Sequence, residues 1–431
     1  MLLVPRVLLF PLYAVNEYLI RAPLGATMRW VERDYIIDKT IDTLTWRDRT
    51  IGIFPIVSLS NGQRPGFGFS AFADHPFVPW HFMTLATTTD FQRNVMTLFT
   101  NRFKLSETTS ILWRANYEQR NDFLFYGYGP RTNKNDQTRF ERRKPFTSLE
   151  LISNADTYTR SRLGEDQGID VVPVTQLSPA QRLLSGRIGI ELSDNTFHCT
   201  TRTPDICKVP SRGIQRDTVI GPGRTGEAAF FEHGYSLLRV KALGSIDTRA
   251  PDNPQQTGIR FDAFGRYGKG LGDRASGVNF FRYGGELGLF LDVSGGLKRV
   301  IAARFHVEML TSTSHHTPVP FEELIALGGP ESMRGFLPSR FLGTSAAFGS
   351  LEYRYPIWSF LNATMFYDLG NVFGDYLRDF DVKLLRGSWG LAFRSNTSRD
   401  VSFQFLIGAG TKRWSVAPDE FRIAAGINVG F

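Results

Sequence analysis

The sequence predicts an all-β fold, a transmembrane antiparallel β-barrel of about sixteen strands with a short N-terminal helical segment, on three observations. First, stretches of strict apolar/polar alternation recur along the 431 residues, and a side-chain period of two is typical of strands. Second, one face of these stretches is apolar while the other is polar and glycine-rich, as between lipid and a wet lumen. Third, no stretch has the roughly eighteen uninterrupted apolar residues of a membrane helix.

The alternation is clearest in the last third of the chain. In the segment 299–310, Phe305 and Val307 lie on the apolar face, whereas Arg304 and Glu308 lie on the polar face. A soluble sandwich would show the opposite bias, with its large apolar side chains packed inside. The pattern therefore predicts membrane-spanning strands around a polar lumen. The same alternation runs through 343–355, 361–371 and 421–431.

Strands with this pattern follow one another from residue 49 to the C-terminus. Their number is even, as bacterial single-chain barrels require. One barrel accounts for residues 46–431, so we predict a single barrel domain although the length alone would favour more domains. The predicted strands are 49–60, 65–74, 80–90, 93–103, 108–119, 145–160, 184–193, 234–246, 257–267, 279–293, 299–310, 343–355, 361–371, 386–395, 399–409 and 421–431.

The connections between these strands are of two kinds. Short turns such as 294–296 and 396–398 lie at one end of the barrel, and long polar segments lie at the other. Short periplasmic turns and long external loops are typical of outer-membrane barrels, so both termini are predicted on the periplasmic side. The long connections are 194–232, 311–342 and 373–385.

Residues 1–45 differ from the rest and form a predicted amphipathic, helical N-terminal segment. Leu8, Leu12 and Leu19 follow helical spacing, as on one face of a helix. Arg6 and the prolines of this segment do not fit a secretory signal, so the chain is taken to lack its export signal or to be numbered from the mature protein. A helix pair at the membrane interface, a plug of the lumen and a poorly ordered leader are the three alternatives.

The most specific feature is a set of three segments in the last third of the chain. A glycine-rich loop, 328–336, carries one arginine, Arg334. Glu352 and Asp368 lie on the polar faces of two predicted strands. An arginine fork pairs two-pronged with carboxylates, and Gly335 allows the adjoining backbone to approach a wall closely. The sequence thus supplies one cation on a loop and two anions on strands to receive it.

This set resembles the loop-and-strand signature of the BamA/TamA superfamily (the bacterial surface antigen family) of outer-membrane assembly and translocation barrels. The resemblance implies that loop 311–342 folds back into the barrel and locks its arginine against acidic side chains of neighbouring strands. Met333 stands where the family usually has valine. The alternative is that the two carboxylates pair with Arg304 or Arg354. The implied luminal lock is Arg334, Gly335, Phe336, Glu352 and Asp368.

The resemblance covers the barrel only, roughly from residue 49 to Phe431. Members of the family carry periplasmic POTRA domains that receive clients, and residues 1–45 are too few to hold one. We therefore expect a member without POTRA domains. The terminal Phe431, on a strand of alternating apolar residues, resembles the signal by which barrels are themselves recognised for insertion.

The first and last strands contain residues that weaken strand pairing. Pro55 lacks a backbone donor and is tolerated mainly at sheet edges and bulges. Gly426 and Gly430 lie in the last strand, which must close against the first. A weakly hydrogen-bonded seam is what opening of the barrel wall would require. The alternative is that Pro55 marks a strand end or bulge.

The resemblance implies a function in the outer membrane of a bacterial cell. The protein is expected to take part in the insertion of outer-membrane proteins or in protein translocation. The alternative is a passive channel or a scaffold subunit of a larger outer-membrane complex. The expected partners are outer-membrane lipid and lipopolysaccharide, client outer-membrane proteins and periplasmic assembly subunits.

Charge and motifs argue against other classes of protein. The net charge of +8 comes without a recognition helix, an aromatic-interleaved basic cluster or zinc spacing, so no nucleic acid is expected. A basic lumen and basic loops that meet acidic lipopolysaccharide account for it. No nucleophile elbow is present, and the glycines of 268–272 join two strands without opening a helix, so neither an enzyme nor a cofactor is predicted.

Two cysteines, Cys199 and Cys207, lie in the longest predicted external loop. A close pair in an exported protein predicts a disulfide. The alternative, a metal site with His198, lacks further ligands at workable spacing. Likewise His315–His316 with Glu322–Glu323 is interpreted as a solvated loop and not as a metal site.

Overall fold

A computed structural model gives the fold of the chain. Most of the predicted N-terminal segment lies outside the described residues, as do Phe431 and the pair His315–His316. The residues that the structure describes are 39, 42–48, 50–60, 62–106, 108–153, 184–201, 205–207, 230–249, 257–295, 299–314, 317–358, 361–395, 402–413, 415 and 417–428.

Sixteen strands form one closed antiparallel β-barrel, and three shorter strands accompany them. Each barrel strand pairs with its neighbours in chain order, and the last pairs with the first. Closure of this kind pairs the two edge strands of the sheet with each other. The strands are β1 (Thr45–Trp46), β2 (Ile51–Ser60), β3 (Gly66–Asp74), β4 (His81–Thr89), β5 (Val95–Lys104), β6 (Thr109–Phe125), β7 (Thr138–Ser153), β8 (Leu184–Cys199), β9 (Tyr235–Asp247), β10 (Gly258–Leu271), β11 (Asn279–Asp292), β12 (Val300–Ser312), β13 (Ile325–Leu327), β14 (Phe341–Gly343), β15 (Ser345–Trp358), β16 (Leu361–Phe373), β17 (Arg386–Ser395), β18 (Ser402–Arg413) and β19 (Pro418–Asn428).

Among the described residues, three short strands and five 3-10 helices accompany the barrel strands. β1 pairs with the beginning of β2, and β13 pairs with β14 inside the connection between β12 and β15. No helix among the described residues has the length and apolar character needed to cross a membrane. The 3-10 helices are Lys134–Asp136, Asp273–Ala275, Phe321–Glu323, Asp375–Leu377 and Val382–Leu384.

The two faces of the strands point as the alternation predicts. On β12, Ile301 and Phe305 are 39% and 55% exposed on the outside of the barrel, whereas Ala302 and Arg304 are buried on the inside. The antiparallel barrel of sixteen strands is thereby confirmed. The outward side chains of the strands are largely apolar, as in membrane barrels. The inward side chains include buried charges such as Arg304 and also large apolar groups such as Phe54 and Phe348.

Some strands differ from their predicted bounds. β6 and β8 run on to Phe125 and Cys199, and β7 begins at Thr138 instead of residue 145. Leu124 and Phe125 are successive residues that point to opposite faces, yet both are buried. A strand that is buried on both faces does not alternate between apolar and polar residues. The two-residue periodicity therefore does not predict the ends of β6 and β8 or the beginning of β7.

One end of the barrel carries the long connections 126–137, 313–344 and 374–385 and is called the loop end below. The prediction of a polar lumen is wrong at this end, because a large apolar cluster fills the space inside the wall. Wall residues supply one side of this cluster, and the connection 313–344 supplies the other. The largest side chains in it are Phe125, Tyr128, Phe140, Phe197, Tyr235, Phe280, Phe321, Phe336, Phe341 and Phe348.

Candidate functional site

The connection between β12 and β15, residues 313–344, folds into the loop end of the lumen and is called the luminal loop. Phe321, Phe336 and Phe341 of this loop are fully buried. The rings of Phe336 and Phe341 meet edge to face with centroids 5.0 Å apart. The resemblance implied that this loop folds into the barrel, and the structure places it there.

Arg334 is held by both predicted carboxylates. Its Nε and Nη2 atoms donate to Oδ2 and Oδ1 of Asp368 at 3.1 and 2.6 Å, and its backbone N–H donates to Oδ2 at 2.9 Å. Its Nη1 lies 2.9 Å from Oε1 of Glu352, and its guanidinium lies 4.0 Å from the ring centroid of Phe366. All four side chains are buried. The cation is therefore neutralised and hydrogen-bonded out of water, which a buried charge requires.

The alternative partners of the carboxylates are present at the same time. Glu352 also contacts Arg354 at 2.6 Å and Arg304 at 3.5 Å, so it is shared by three arginines. Asp368 instead contacts Arg334 and the Ser350 hydroxyl, which donates to Oδ1 at 2.8 Å. Neighbouring strands β15 and β16 pair Ser350 with Asp368, which sets both carboxylates within reach of one fork.

Gly335 presses the luminal loop against the barrel wall. Its N–H donates to the Ser388 hydroxyl on β17 at 2.5 Å. A Cβ atom at position 335 would lie 2.3 Å from the backbone of Ala409 on β18. In return, a Cβ at Gly410 would lie 2.4 Å from the ring of Phe336. Glycine on both surfaces thus allows loop and strand to meet backbone to backbone.

Met333 adopts a left-handed backbone conformation, with φ of 50°. Such a conformation is costly for a side chain branched at Cβ and less so for an unbranched one. The Met333 side chain is fully buried in the apolar cluster. The methionine that replaces the family's usual valine therefore suits this backbone.

A second buried arginine, Arg340, anchors the other end of the same loop and was not predicted from the sequence. Its Nε donates to Glu420 on β19 at 2.7 Å, and its Nη1 donates to the Thr132 hydroxyl at 2.9 Å. Its guanidinium lies 4.5 and 4.9 Å from the rings of Tyr126 and Phe341. The sequence does carry a sign of this buried arginine, because it lies among the mostly apolar residues 336–342. An arginine that is buried with such neighbours needs polar partners.

The interpretation of Glu322 and Glu323 as part of a solvated loop is wrong, because both carboxylates bind residues of the barrel wall. Arg142 on β7 binds Glu322 at 2.5 Å. Arg239 donates through Nε to Glu323 at 3.1 Å, and the Tyr235 hydroxyl donates to the same carboxylate at 2.9 Å. Burial by itself raises the pKa of the Glu323 carboxyl, but the Arg239 guanidinium outweighs it and holds that pKa below its usual value. Both carboxylates tie the luminal loop to the wall.

Contacts at the loop end also join the two sides of the barrel closure. On one side, Lys134 of the connection 126–137 binds Asp419 of β19 at 2.9 Å. On the other side, Arg139 donates to the Gly62 carbonyl at 2.7 Å, and Leu337 of the luminal loop packs on Gly62. The turn after the first strand and the beginning of the last strand are thus both held by neighbouring elements of the loop end.

The closure of the barrel, called the seam, joins β2 to β19. β2 and β19 pair over Val57–Ser60 and Ala424–Ile427 among the described residues, whereas β6 and β7 pair from Thr109 to Phe125. Gly426 faces Ser58 within the seam. Pro55 lies on β2 before this stretch and pairs with Phe69 of β3. The predicted Gly430 and Phe431 lie outside the described residues.

The two cysteines form the predicted disulfide between the end of β8 and the loop that follows. The Asp205 carboxylate accepts the backbone N–H groups of Cys207 and Thr200 at 3.1 and 3.3 Å. Bonded sulfur atoms are not thiolates and do not ligate a metal. The disulfide therefore secures a hairpin at the loop end.

Comparison with known protein families gives a match over the segment that carries this site. The profile of the Omp85 superfamily domain matches residues 256–428, which contain Arg334, Glu352 and Asp368. A search of curated protein sequences finds no match to the chain.

Solved structures with a similar fold include two kinds of outer-membrane barrel. BamA from Haemophilus ducreyi lacking POTRA domains 1–3 matches with a TM-score of 0.54 at 14% identity, over 88% of this chain and 70% of that chain. CdiB from Acinetobacter baumannii matches with a TM-score of 0.50 at 12% identity, over 88% of this chain and 60% of that one. CdiB from Escherichia coli matches with a TM-score of 0.50 at 11% identity, over 88% and 63%.

These identities establish likeness of fold alone, and the chain spans 60%, 63% and 70% of the lengths of the three matched chains. The profile match adds the family, over the segment that carries the luminal loop and its carboxylates. Residues 256–428 match the Omp85 superfamily domain, and the barrel is similar in fold to BamA and CdiB, as the resemblance to the BamA/TamA barrels predicts.

Proposed function

We propose that the protein takes part in the insertion of outer-membrane proteins, or in protein translocation, at the bacterial outer membrane. Its Omp85 superfamily domain and its fold, similar to BamA and CdiB, support this class of function. The observation that carries the proposal is the seam. Among the described residues, β2 and β19 pair over Val57–Ser60 and Ala424–Ile427. Gly426 lies within this pairing and Pro55 lies next to it, and both residue types weaken strand pairing, so we infer that the wall opens sideways there.

The loop end of the lumen favours sideways opening over a straight channel. The luminal loop fills it with buried aromatic side chains, among them Phe321 and Phe336. Arg334 and Arg340 fix this loop through buried ion pairs, and breaking a buried pair costs about 3–5 kcal/mol. A passive channel, the alternative function, would require this loop to leave the lumen. We therefore favour opening at the seam.

Location and partners follow from the same proposal. The barrel lies in the outer membrane with its loop end outside, in contact with outer-membrane lipid and lipopolysaccharide. Client outer-membrane proteins and periplasmic assembly subunits are its protein partners. The activity requires no catalysed chemical step, so we expect no enzymatic function.

The test of function is an insertion assay. The purified barrel is reconstituted into liposomes, and a urea-denatured eight-stranded outer-membrane protein is added as the client. We expect the client to fold into a protease-resistant form faster than in liposomes without the barrel. An unchanged folding rate together with ion conductance across a planar bilayer would favour the channel. An unchanged rate without conductance would favour the scaffold subunit.

The location is tested by cysteine labelling of intact cells that produce the protein. Phe380, 47% exposed at the loop end, and Val293, 49% exposed at the other end, are replaced singly by cysteine. A membrane-impermeant maleimide should label Phe380→Cys from outside and leave Val293→Cys unlabelled. The reverse pattern would contradict the proposed orientation.

A further inference from the structure

An arginine pair lies on the outer surface of the barrel, at the loop end, outside the site described above. Arg143 on β7 binds Glu141 through Nε and Nη2 at 3.1 and 3.0 Å. Arg93, in the turn between β4 and β5, approaches the second oxygen of the same carboxylate at 4.0 Å. The arginine side chains are 45% and 58% exposed, whereas that of Glu141 is 4% exposed. One buried carboxylate therefore orients the guanidinium of Arg143 and lies close to that of Arg93.

Further hydrogen bonds hold this carboxylate in place. The Gln119 side chain donates to Glu141 at 3.2 Å, and the Tyr117 hydroxyl donates to Gln119 at 3.0 Å. Gln119 pairs with Arg143 across β6 and β7. The arginine pair is thus built on a connected polar network on regular strands, which gives it a defined geometry before any ligand binds.

The position of the pair relative to the apolar surface identifies its surroundings. Below it, toward the opposite end of the barrel, Trp113, Leu149 and Leu151 are 40–48% exposed on the same outer face. Tyr117, 41% exposed, lies between these residues and the arginines. Aromatic residues such as tyrosine mark the boundary between hydrocarbon and water in membrane barrels. The guanidinium groups therefore lie at the level of the lipid headgroups.

The charge balance at this place differs from that at Arg274 and Lys134, two other exposed cations of the loop end. Arg274 has its own carboxylate, Asp194, at 2.7 Å. Lys134 likewise has Asp419 at 2.9 Å. Glu141 is instead shared by two arginines. One positive charge is left over at the arginine pair, and charge complementarity calls for an anionic ligand.

We propose that Arg93 and Arg143 bind the phosphate group of a lipid in the outer leaflet, with the lipid chains lying on the apolar surface below. Guanidinium forks bind phosphate through two parallel hydrogen bonds, and basic residues beside a membrane surface recognise anionic headgroups. Because the arginine pair adjoins the apolar outer surface of the barrel, a lipid is favoured over a soluble phosphate. This inference rests on the outer-membrane location proposed above.

The test compares lipid affinities of the purified barrel by native mass spectrometry. Lipid A and dephosphorylated lipid A are the probes, and Arg93→Gln with Arg143→Gln is the variant. We expect the double variant to lose about tenfold or more in affinity for lipid A, from the loss of charge-assisted hydrogen bonds. The matched control is Arg274→Gln, which removes an exposed arginine of the same end and should leave the affinity unchanged.

Three results would overturn the proposal: equal binding of the dephosphorylated lipid, an equal loss in the Arg274→Gln control, or equal binding of lipid A by the double variant. Displacement of lipid A by millimolar inorganic phosphate would also overturn it, because the site would then recognise phosphate without the lipid. Heat-modifiable migration on a gel verifies that each variant is folded. The assay contains no client protein, so its failure is distinguishable from a failure of the proposed insertion activity.

Discussion

The seam and the wall on which the luminal loop is locked are closed in different ways. In the locked wall, β15 pairs with β16 from Ser345 to Trp358, and buried Arg334 adds ion pairs to this ladder. At the seam, strand pairing covers Val57–Ser60 of β2. The ion pair between Lys134 and Asp419 that supports the seam has a lysine side chain 43% exposed.

The two regions differ in the burial of their ion pairs, and burial decides how much each pair contributes to stability. A buried ion pair is costly to break, because the remaining partner is left charged in a poorly solvated place. An exposed pair contributes about 1 kcal/mol or less, because water replaces it. Burial thus makes the Arg334 contacts of the wall costly to break, whereas the exposed Lys134–Asp419 pair adds little to the seam.

Cross-linking the seam should have the largest effect. Leu59 and Ala425 face each other across β2 and β19, so Leu59→Cys with Ala425→Cys brings two thiols within reach of a disulfide. We expect oxidation to abolish client insertion in the liposome assay and reduction to restore it. The matched control is Thr87→Cys with Thr97→Cys, a facing pair of β4 and β5, which should keep its activity. Full activity of the oxidised seam variant would favour the channel or scaffold.

Removal of the lock carboxylate should have the next largest effect. Asp368→Ala leaves Arg334 buried with one partner fewer, so we expect the free energy of unfolding in urea to fall by about 3–5 kcal/mol. Asp368→Ala with Arg334→Met should lose less than the two single losses combined. Asp381→Ala, which removes an exposed aspartate that caps a 3-10 helix, is the control and should cost about 1 kcal/mol. Additive losses in the double variant would show that the lock residues are not coupled.

Acid should weaken the attachment of the luminal loop through Glu323. Its folded pKa lies below the ordinary value of 4.5, so its contribution to stability is fully present above that value. This contribution is lost as the pH falls through the folded pKa. We expect Glu323→Gln to destabilise the barrel by roughly 1–2 kcal/mol at pH 7, with a smaller difference from wild type near pH 3. Thermal unfolding across this range measures it, and a difference that is constant with pH would refute the assignment.

The exposed pair at the seam should give the smallest effect. Lys134→Met removes the contact with Asp419, and we expect a loss of about 1 kcal/mol or less. The loss should shrink as salt is raised, because exposed charges are screened. Hydrogen exchange of the amides of β19 measures it locally. A loss as large as that of Asp368→Ala would mean that the seam is no weaker than the wall.

The number, order and orientation of the strands could be read from the sequence. Successive side chains of a strand point to opposite faces whatever surrounds it, so Arg304 and Phe305 separate into lumen and lipid by a local rule. Arg334, Glu352 and Asp368 were also found, because their motif resembles that of a family. Local rules failed at Leu124 and Phe125, where both faces of the strand are covered and the alternation ends.

Contacts between distant segments required the closed barrel. Arg340 meets Glu420 across 80 residues of chain, and Arg239 meets Glu323 across 84, and no periodicity pairs such positions. The apolar filling of the loop end arises because the luminal loop brings Phe321 and Phe336 into a space that strand patterns describe as polar. The residues of the first and last strands that face each other at the seam depend on how far these strands are staggered when the barrel closes. That stagger is a property of the whole closed sheet, because the shear of every strand pair contributes to it.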